Sequence, residues 1–330
     1  MSVPHRQKPL RALQKSIAAT LIVGALCAAA AGIRISHPAS GFAGATATGP
    51  LDPVRGHAML RKAVRPEPGP VTAAPQAVVA SHGCVNVPIL VYHYIRLNPV
   101  PSDKLGFGLS VTPAEFLAQM DWLRLSGGHP VTMHQVLAAM SGGPPLPKHP
   151  VVLTFDDGYA DFASVAVPVL QREGFVATDY VVGGFIGRPG YMTAAQVRQV
   201  AADGMVIGAH TMHHVDLASD PPSLAWIEIS ASRALLQQLL QRPVSDFAYP
   251  YGDVDGVVEW LTQRAGFSDA MTMNAGTLQC SGARYLLPRI RVGGYDTVAS
   301  FARNAEIPPP PVTWVDPGAP FAGPLLSRSR

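Results

Sequence analysis

The chain contains 330 residues, 48% of them hydrophobic, and carries a formal net charge of +3. This length and composition allow one large α/β domain or two small ones and argue against disorder throughout the chain. Several basic residues, including Arg6, Lys8, Arg11 and Lys15, precede residue 16, so the remainder is nearly neutral and indicates no nucleic-acid-binding surface.

An uncharged hydrophobic segment, Ser16–Ile33, follows the basic start and is typical of an export signal. Ala28 and Ala30 provide the A-x-A pattern of a signal-peptidase site, whereas the segment reaches only the lower end of the roughly 17–25 residues that span a bilayer. A cleaved signal peptide and a retained membrane anchor therefore both remain open. In either case we expect the rest of the chain to be exported, to the cell envelope, the periplasm or the exterior.

Composition divides the chain into four regions. Residues 1–33 form the signal peptide or membrane anchor, which would make any membrane contact. Residues 34–85 are rich in Pro, Ala and Gly without an apolar period, which predicts a flexible linker. Residues 86–305 are expected to fold as one domain, and residues 306–330 form a Pro-rich tail.

Seven short apolar runs within the expected domain have the length of strands that are buried on both faces. They are residues 87–92, 151–155, 178–182, 205–209, 246–249, 268–272 and 286–292. Amphipathic stretches separate these runs, so helix follows strand repeatedly. This order predicts an α/β fold with a parallel sheet, and the number of units favours a closed or nearly closed barrel. In such barrels the catalytic residues lie where the strands end.

Two of the amphipathic stretches carry clear helical signals. Thr112 stands in an N-cap position with Glu115 three residues later. In the stretch 222–240, helical spacing places five apolar residues on one face. These residues are Leu224, Ile227, Ala231, Leu235 and Leu239.

Cys84 and Cys280 are the two cysteines of the part predicted to be exported. An oxidising compartment would allow them to pair, but pairing requires Cα atoms within about 7 Å. Because each precedes a predicted strand at opposite ends of the domain, a disulfide and two unrelated buried thiols both remain open.

The run "VVLTFDDGYADF" ends a predicted strand with two adjacent acids, Asp156 and Asp157. Neighbouring carboxylates repel each other, and one is driven towards protonation unless a cation or different roles separate them. The alternative is an ordinary turn, since Asp-Asp-Gly is also common in turns and helix caps. Alone, the motif leaves both interpretations open.

A second motif, "GAHTMHHVDL", follows another apolar run and contains His210 and His214 at i and i+4. This spacing predicts two imidazoles on one face of a helical turn, a common arrangement of ligands for Zn²⁺ or a similar ion. His213 is interpreted as an ordinary surface or core residue. Combined with the two acids at another strand end, the pair indicates a metal site. Two imidazoles and one carboxylate leave a coordination position open, which favours catalysis.

"TFDDGY" and "HTMHH", about fifty residues apart, resemble the motifs of the polysaccharide deacetylases of carbohydrate esterase family 4, which share a NodB homology domain. The resemblance covers about residues 86–305. The flanking segments "VPILVYHYI" and "RPVSDFAYPYG" are most similar to the branch that acts on poly-N-acetylglucosamine-type exopolysaccharides. The resemblance implies a distorted (β/α) barrel that hydrolyses N-acetyl groups with a metal ion.

The resemblance also implies a role for each motif residue. Asp157, His210 and His214 would hold one divalent metal ion, for which Zn²⁺, Co²⁺ and Ni²⁺ are all suitable. Asp156 would be the catalytic base that takes a proton from the attacking water.

The third family motif corresponds to "AYPYG", which makes Tyr249, Pro250 and Tyr251 the candidates for substrate binding. In the family, a backbone amide of this motif faces the developing oxyanion. The Tyr249–Pro250 step would shape the wall of the site. The alternative is a plain loop that positions Gly252.

Two family residues are missing from their usual places. Ala248 and Tyr249 stand where many members of the family carry the arginine of the third motif. We expect Arg289 to pair with Asp156 instead. The late histidine that protonates the leaving amine has no equivalent after His214, and His93 is the candidate for that role. An ordinary structural arginine and a buried structural histidine are the alternatives.

The leading hypothesis is a metal-dependent N-deacetylase of an extracellular amino-sugar polymer, with an N-acetylated polysaccharide as its partner. A related enzyme would act on peptidoglycan, chitin-like oligomers or a non-sugar amide. A different class of protein would be a catalytically silent carbohydrate-binding barrel. The intact acids and histidines argue against this last class.

Overall fold

The computed structural model describes residues 83–310. The hydrophobic segment Ser16–Ile33 and its predicted role, nearly all of the predicted linker and most of the Pro-rich tail lie outside this part of the chain. Between residues 83 and 310, no helix combines the length and apolar character needed to cross a membrane.

Short strands and helices alternate along the described chain. The strands are β1 (Cys84–Asn86), β2 (Ile89–Tyr92), β3 (Tyr94–Ile95), β4 (Ser110–Val111), β5 (His129–Pro130), β6 (Pro150–Asp157), β7 (Thr178–Val181), β8 (Val206–Ala209), β9 (Asp246–Ala248), β10 (Asp269–Met271), β11 (Leu278–Cys280) and β12 (Ile290–Arg291). The α-helices are α1 (Lys104–Leu109), α2 (Pro113–Leu125), α3 (Met133–Met140), α4 (Val167–Glu173), α5 (Ala194–Ala202), α6 (Pro222–Leu240), α7 (Gly256–Arg264) and α8 (Val298–Asn304).

The main sheet contains the seven strands that the apolar runs predict. Its order is β10-β9-β8-β7-β6-β2-β12, and every neighbouring pair is parallel. The short strand β5 pairs with the beginning of β6. Because all seven strands run in one direction, their carboxyl ends meet at the same edge, where side chains from distant motifs come together.

The segment that contains β12 contacts both ends of the sheet. Leu287 forms a parallel bridge with Met271 of β10, whereas Ile290 and Arg291 pair with β2. The sheet is thus curved rather than open, in agreement with the predicted distorted (β/α) barrel.

The helix signals are confirmed at one position and wrong in detail at another. The Thr112 side chain caps α2 by accepting the backbone N–H of Glu115. The buried face of α6 differs from the predicted one, because Leu224 and Ile227 are exposed. The buried positions are Ala225, Ile229, Ala231, Ser232 and Leu236. Three of these five residues are small. Small side chains allow a helix to pack closely against its neighbours, which favours burial of this face over the face with the larger apolar side chains.

The two cysteines form a disulfide that closes the domain. β1 pairs antiparallel with β11, with Cys84 directly opposite Cys280, and the Cα atoms are 4.2 Å apart. The bond joins positions separated by 196 residues. The first strand of the described residues begins at Cys84, two residues before the expected domain boundary at residue 86.

Candidate active site

The site lies at the carboxyl edge of the sheet. Asp156 and Asp157 end β6, His210 directly follows β8, and His93 directly follows β2. Arg289 immediately precedes β12, the strand that pairs with β2 on the side away from β6. The parallel order of the sheet thus brings together the residues at the ends of β2, β6 and β8, whereas Arg289 joins them from the segment before β12, which lies beside the end of β10.

Asp156 forms a buried two-pronged ion pair with Arg289. Arg289 Nη1 and Nη2 donate to Asp156 Oδ1 and Oδ2, both at 2.7 Å. The exposed fractions are 3% for Asp156 and 1% for Arg289. Arg289 Nε also donates to the carbonyl oxygen of Thr272 at 3.0 Å, which fixes the plane of the guanidinium. The structure therefore places Arg289 against Asp156, as the sequence predicts.

The electrostatics of Asp156 favour its charged form. Burial raises the pKa of the Asp156 carboxyl group. The charge of Arg289, followed by the effect of His210, the Arg289 hydrogen bonds and the effect of His93, outweighs burial, so that the pKa of Asp156 lies below its usual value. A carboxylate with two lone pairs on each oxygen can accept both Arg289 donors and still accept a proton. Asp156 is thus held in its ionised form, with lone pairs free to accept a proton.

Asp157, His210 and His214 converge on one point. Asp157 Oδ1 lies 3.6 Å from His210 Nε2 and 3.2 Å from His214 Nε2. One ligand atom from each of the three residues lies within 4.8 Å of the other two. The predicted metal triad is therefore assembled by the fold.

The protonation of His210 shows that this triad fits a cation. Burial lowers the pKa of His210 to about 4, against the opposing effect of the two acids, so the ring is neutral at physiological pH. Its Nδ1–H donates to the carbonyl oxygen of Ala248 at 2.7 Å, which leaves a lone pair on Nε2. That lone pair faces a carboxylate oxygen of Asp157. Two acceptors that face each other suit a cation between them, and N and O donors of this kind suit Zn²⁺, Co²⁺ or Ni²⁺.

The backbone around the site is strained. Asp157, Thr211, His214 and Tyr251 have φ values of 80°, 64°, 55° and 63°, and they are four of the seven non-glycine residues with positive φ between residues 83 and 310. Positive φ costs free energy for residues other than glycine and persists only where the surrounding structure enforces it. Two of these four residues, Asp157 and His214, are candidate metal ligands, so the surrounding structure holds part of the triad in strained backbone conformations.

The predicted helical turn between His210 and His214 is wrong. The two histidines lie in an irregular loop after β8, because positive φ at Thr211 and His214 is incompatible with a helix. The Thr211 hydroxyl accepts the backbone N–H of His214 at 2.9 Å and stabilises this loop. The two imidazoles converge through this turn rather than through helical spacing.

Glu228, on α6, forms hydrogen bonds with the loop that carries His210 and His214. The sequence does not predict this role. Glu228 Oε2 accepts the backbone N–H groups of Met212 and His213 at 3.0 and 2.9 Å. Its Oε1 lies 2.7 Å from His213 Nδ1. The one available signal was that Glu228 is the single acidic residue in the stretch 222–240. The His213 side chain is thus paired with Glu228, and His213 is not part of the metal triad.

A Glu228→Gln variant is expected to bind the metal about 10–100-fold more weakly, because loss of an outer-shell partner misplaces the ligands that it supports. Titration of the metal-free protein with Co²⁺, followed by its visible absorption, measures this change. Glu259→Gln on α7 is the matched control, since the Glu259 side chain accepts a hydrogen bond from Gln263 on its own helix. Equal affinities for the two variants would contradict a supporting role for Glu228.

The three substrate-binding candidates of the third motif lie in different environments in the structure. Tyr249 departs from the prediction, because its ring is buried against Phe247 and its N–H donates to the carbonyl of Met271. Pro250 is also buried and has no N–H. Tyr251 is 61% exposed, and its ring lies 4.8 Å from the ring of His214. The N–H of Tyr249 is bonded to Met271 and Pro250 has no N–H, so the amide of Tyr251 is the remaining candidate of the three for an oxyanion donor.

His93 is brought to the site, but its environment favours the neutral ring. Burial lowers the pKa of His93, and Arg289 lowers it further, while Asp156 and Asp157 act in the opposite direction. Its Nδ1 is buried without a hydrogen-bond partner in the described part of the chain. The role of His93 as general acid stays a prediction.

Comparisons with known proteins agree with this site. The family model described as "Polysaccharide deacetylase" matches residues 143–270, which include both acids and both histidines. YxkH of Bacillus subtilis (strain 168) is 29% identical over 220 residues, covering 67% of this chain and 76% of YxkH. The poly-beta-1,6-N-acetyl-D-glucosamine N-deacetylase of Escherichia coli (strain K12) is 26% identical over 239 residues, covering 59% of this chain. The matched region spans only 35% of that relative.

Among solved structures, the Streptococcus pyogenes deacetylase PplD in complex with acetate superimposes with a TM-score of 0.62 at 28% identity. The match covers 67% of this chain and 98% of PplD. The sequence motifs, the barrel and these matches lead to one conclusion. The chain contains a polysaccharide deacetylase domain of the NodB homology type, that of carbohydrate esterase family 4, a family that hydrolyses N-acetyl groups of polysaccharides.

Proposed function

We propose that this protein is a metal-dependent N-deacetylase of an exported, poly-N-acetylglucosamine-like polymer. One observation carries the proposal. Asp156 lies directly beside the triad of Asp157, His210 and His214, but it is paired with Arg289 and is not one of the three candidate ligands. The choice of polymer is supported by the E. coli relative, which is named a poly-beta-1,6-N-acetyl-D-glucosamine N-deacetylase. Because only a part of that relative is matched, its substrate is transferred here as a proposal.

Export is part of the proposal and has two supports. The segment Ser16–Ile33 follows a basic start, as in export signals. The Cys84–Cys280 disulfide is typical of proteins that fold in an oxidising compartment. Residues 1–33 would then be a cleaved signal peptide or an anchor in the membrane.

Each residue of the site has a separate role in the proposed reaction. A divalent cation on the triad would supply Lewis-acid chemistry, lowering the pKa of water and polarising the acetamide carbonyl. Asp156 removes a proton from the attacking water, and Arg289 holds its carboxylate in one orientation. The N–H of Tyr251 donates to the oxygen on which negative charge develops. His93 is the candidate for protonating the leaving amine.

A catalytically silent carbohydrate-binding barrel is the alternative from a different class. The buried pair of Asp156 and Arg289 argues against it, since burying two charges is costly and gives a binding module no advantage. Peptidoglycan and chitin-like oligomers are the alternative substrates for the enzyme.

Acetate release from defined N-acetylated oligomers tests the proposal. We expect the full-length protein to release acetate from β-1,6-linked N-acetylglucosamine oligomers faster than from chitin oligomers or peptidoglycan fragments. A chelator should abolish release, and Zn²⁺ or Co²⁺ should restore it. Asp156→Asn should lower kcat by about 10²–10⁴-fold, which is the contribution of a positioned general base, while metal binding is retained.

The outcomes separate the alternatives. Faster release from peptidoglycan fragments or chitin oligomers would contradict the proposed polymer. No release from any substrate, with every metal tested, would contradict the enzyme and favour the binding barrel.

A further inference from the structure

A row of three half-buried tyrosines begins beside the candidate metal site. Tyr159 follows the ligand Asp157 by two residues, and its ring stacks on that of Tyr94 at 3.8 Å with an interplanar angle of 25°. On the other side of Tyr159, the ring of Tyr191 lies 5.0 Å away. We call Tyr94, Tyr159 and Tyr191 the tyrosine row. Because Tyr94 belongs to β3 and Tyr191 to the loop before α5, the row crosses the mouth of the barrel.

Arg96 continues the row away from the metal site. Its guanidinium carbon lies 3.4 Å from the centroid of the Tyr94 ring. The backbone N–H of Ile95 donates to Asp161 Oδ2 at 3.2 Å, which fixes this strand against the segment after β6. Arg96 Nε is buried and has no hydrogen-bond partner in the described part of the chain.

A cavity of about 390 Å³ begins at Arg96. Its lining includes Leu97, Phe107, Thr112 and Gly294. Leu97 is 73% exposed and Phe107 is 39% exposed, although both are large apolar side chains. The volume lies within the roughly 300–1,000 Å³ of small-molecule sites, and the mixture of apolar walls and a few polar groups is also typical of them. We call this the Arg96 cavity.

The tyrosine row connects this cavity to the catalytic residues. From Asp157 the surface passes over Tyr159 and Tyr94 to Arg96, with each ring or guanidinium in contact with the next. A polymer whose N-acetyl group reaches Asp157 must continue across the neighbouring surface. Aromatic rings and apolar side chains suit the C–H faces of a sugar ring, and the guanidinium of Arg96, which lines the cavity, suits its hydroxyl or amide oxygens.

We propose that the Arg96 cavity and the tyrosine row bind N-acetylated hexosamine units next to the unit that is hydrolysed. The inference rests on the proposed function, since it requires an amino-sugar polymer as substrate. The binding energy gained at this remote site would be used to position the reacting unit, so longer oligomers should react faster than short ones.

Kinetics with oligomers of two and five N-acetylglucosamine units test the inference. We expect Arg96→Ala and Phe107→Ala to lower kcat/KM for the pentamer by at least about tenfold, the size of effect that a lost contact in a specificity pocket produces. kcat/KM for the dimer should change little. Two variants are used because Arg96 also packs on Tyr94, whereas Phe107 is partly exposed and can be removed with less effect on folding.

The protein offers a matched pair of controls on α7. Arg264 lies 5.3 Å from the ring of Trp260, which is 40% exposed, so these residues repeat the arginine–aromatic chemistry at another surface. Arg264→Ala and Trp260→Ala should leave the ratio of pentamer to dimer kcat/KM unchanged. Equal effects of the two pairs of variants would overturn the inference.

Binding measurements separate this inference from the proposed function. Calorimetry with the inactive Asp156→Asn protein should show weaker pentamer binding when Arg96→Ala is added. Unchanged pentamer affinity would overturn the subsite while leaving the deacetylase intact. Acetate release that fails with every oligomer, accompanied by pentamer binding that depends on Arg96, would overturn the proposed function while supporting the subsite.

Discussion

An Arg289→Met variant is expected to lose about 10²–10⁴-fold in kcat and about 3–5 kcal/mol in the free energy of unfolding. Both effects have the same origin. Arg289 donates two hydrogen bonds of 2.7 Å to Asp156 in a site where neither residue has appreciable exposure, so the variant leaves an unpaired buried carboxylate. Acetate release and denaturant unfolding measure the two losses.

The pH dependence of kcat/KM shows whether Arg289 acts through Asp156. In the native protein Arg289 lowers the pKa of Asp156 against the effect of burial, so removal of the guanidinium should raise that pKa. A base works only when it is unprotonated, and the acidic limb of the profile should therefore move to higher pH in Arg289→Met. Arg289→Lys keeps the charge but loses the paired hydrogen bonds, and it should shift the limb less. An unchanged profile would contradict the positioning role.

A double variant distinguishes stability from catalysis. Asp156→Asn/Arg289→Met removes both charges, so it should recover much of the stability that Arg289→Met loses. It should recover none of the activity, because the base is absent. A double variant as unstable as Arg289→Met would show that the cavity left by arginine, rather than the unpaired charge, causes the destabilisation.

The strands could be predicted because each of them is a nearly continuous apolar run. In a parallel sheet covered on both faces, burial is recorded locally in the sequence, as in residues 151–155. The candidate ligands could be predicted for a related reason. Strand ends share one edge of such a sheet, so acids and histidines that follow different strands meet there without any further information.

The predictions that the structure contradicts concern features that depend on contacts between distant segments. The loop of His210 and His214 was mistaken for a helical turn because positive φ at Thr211 is imposed by packing and by Glu228, which lies in another element. The direction of the Tyr249 ring follows from its contact with Phe247 and from its bond to β10. Neither interaction leaves a periodic trace in the sequence.

Replacing both cysteines of the disulfide, in a Cys84→Ser/Cys280→Ser variant, is expected to lower the free energy of unfolding by about 2–5 kcal/mol. The upper part of this range is expected because the bond restricts a long loop, with 196 residues between its ends, in the unfolded chain. Cys84 lies before the start of β2, whereas the site lies beyond its end, so kcat at 25 °C should remain close to the native value.

Guanidinium unfolding of the native protein with and without reductant provides the comparison. Reduced native protein and the serine variant should have the same midpoint, both below that of the oxidised protein, because each lacks only the cross-link. Mass spectrometry of peptides that contain Cys84 and Cys280 establishes the pairing before reduction. Identical midpoints in all three samples, or free thiols at both positions in protein that was folded under oxidising conditions, would show that the cross-link does not stabilise this barrel.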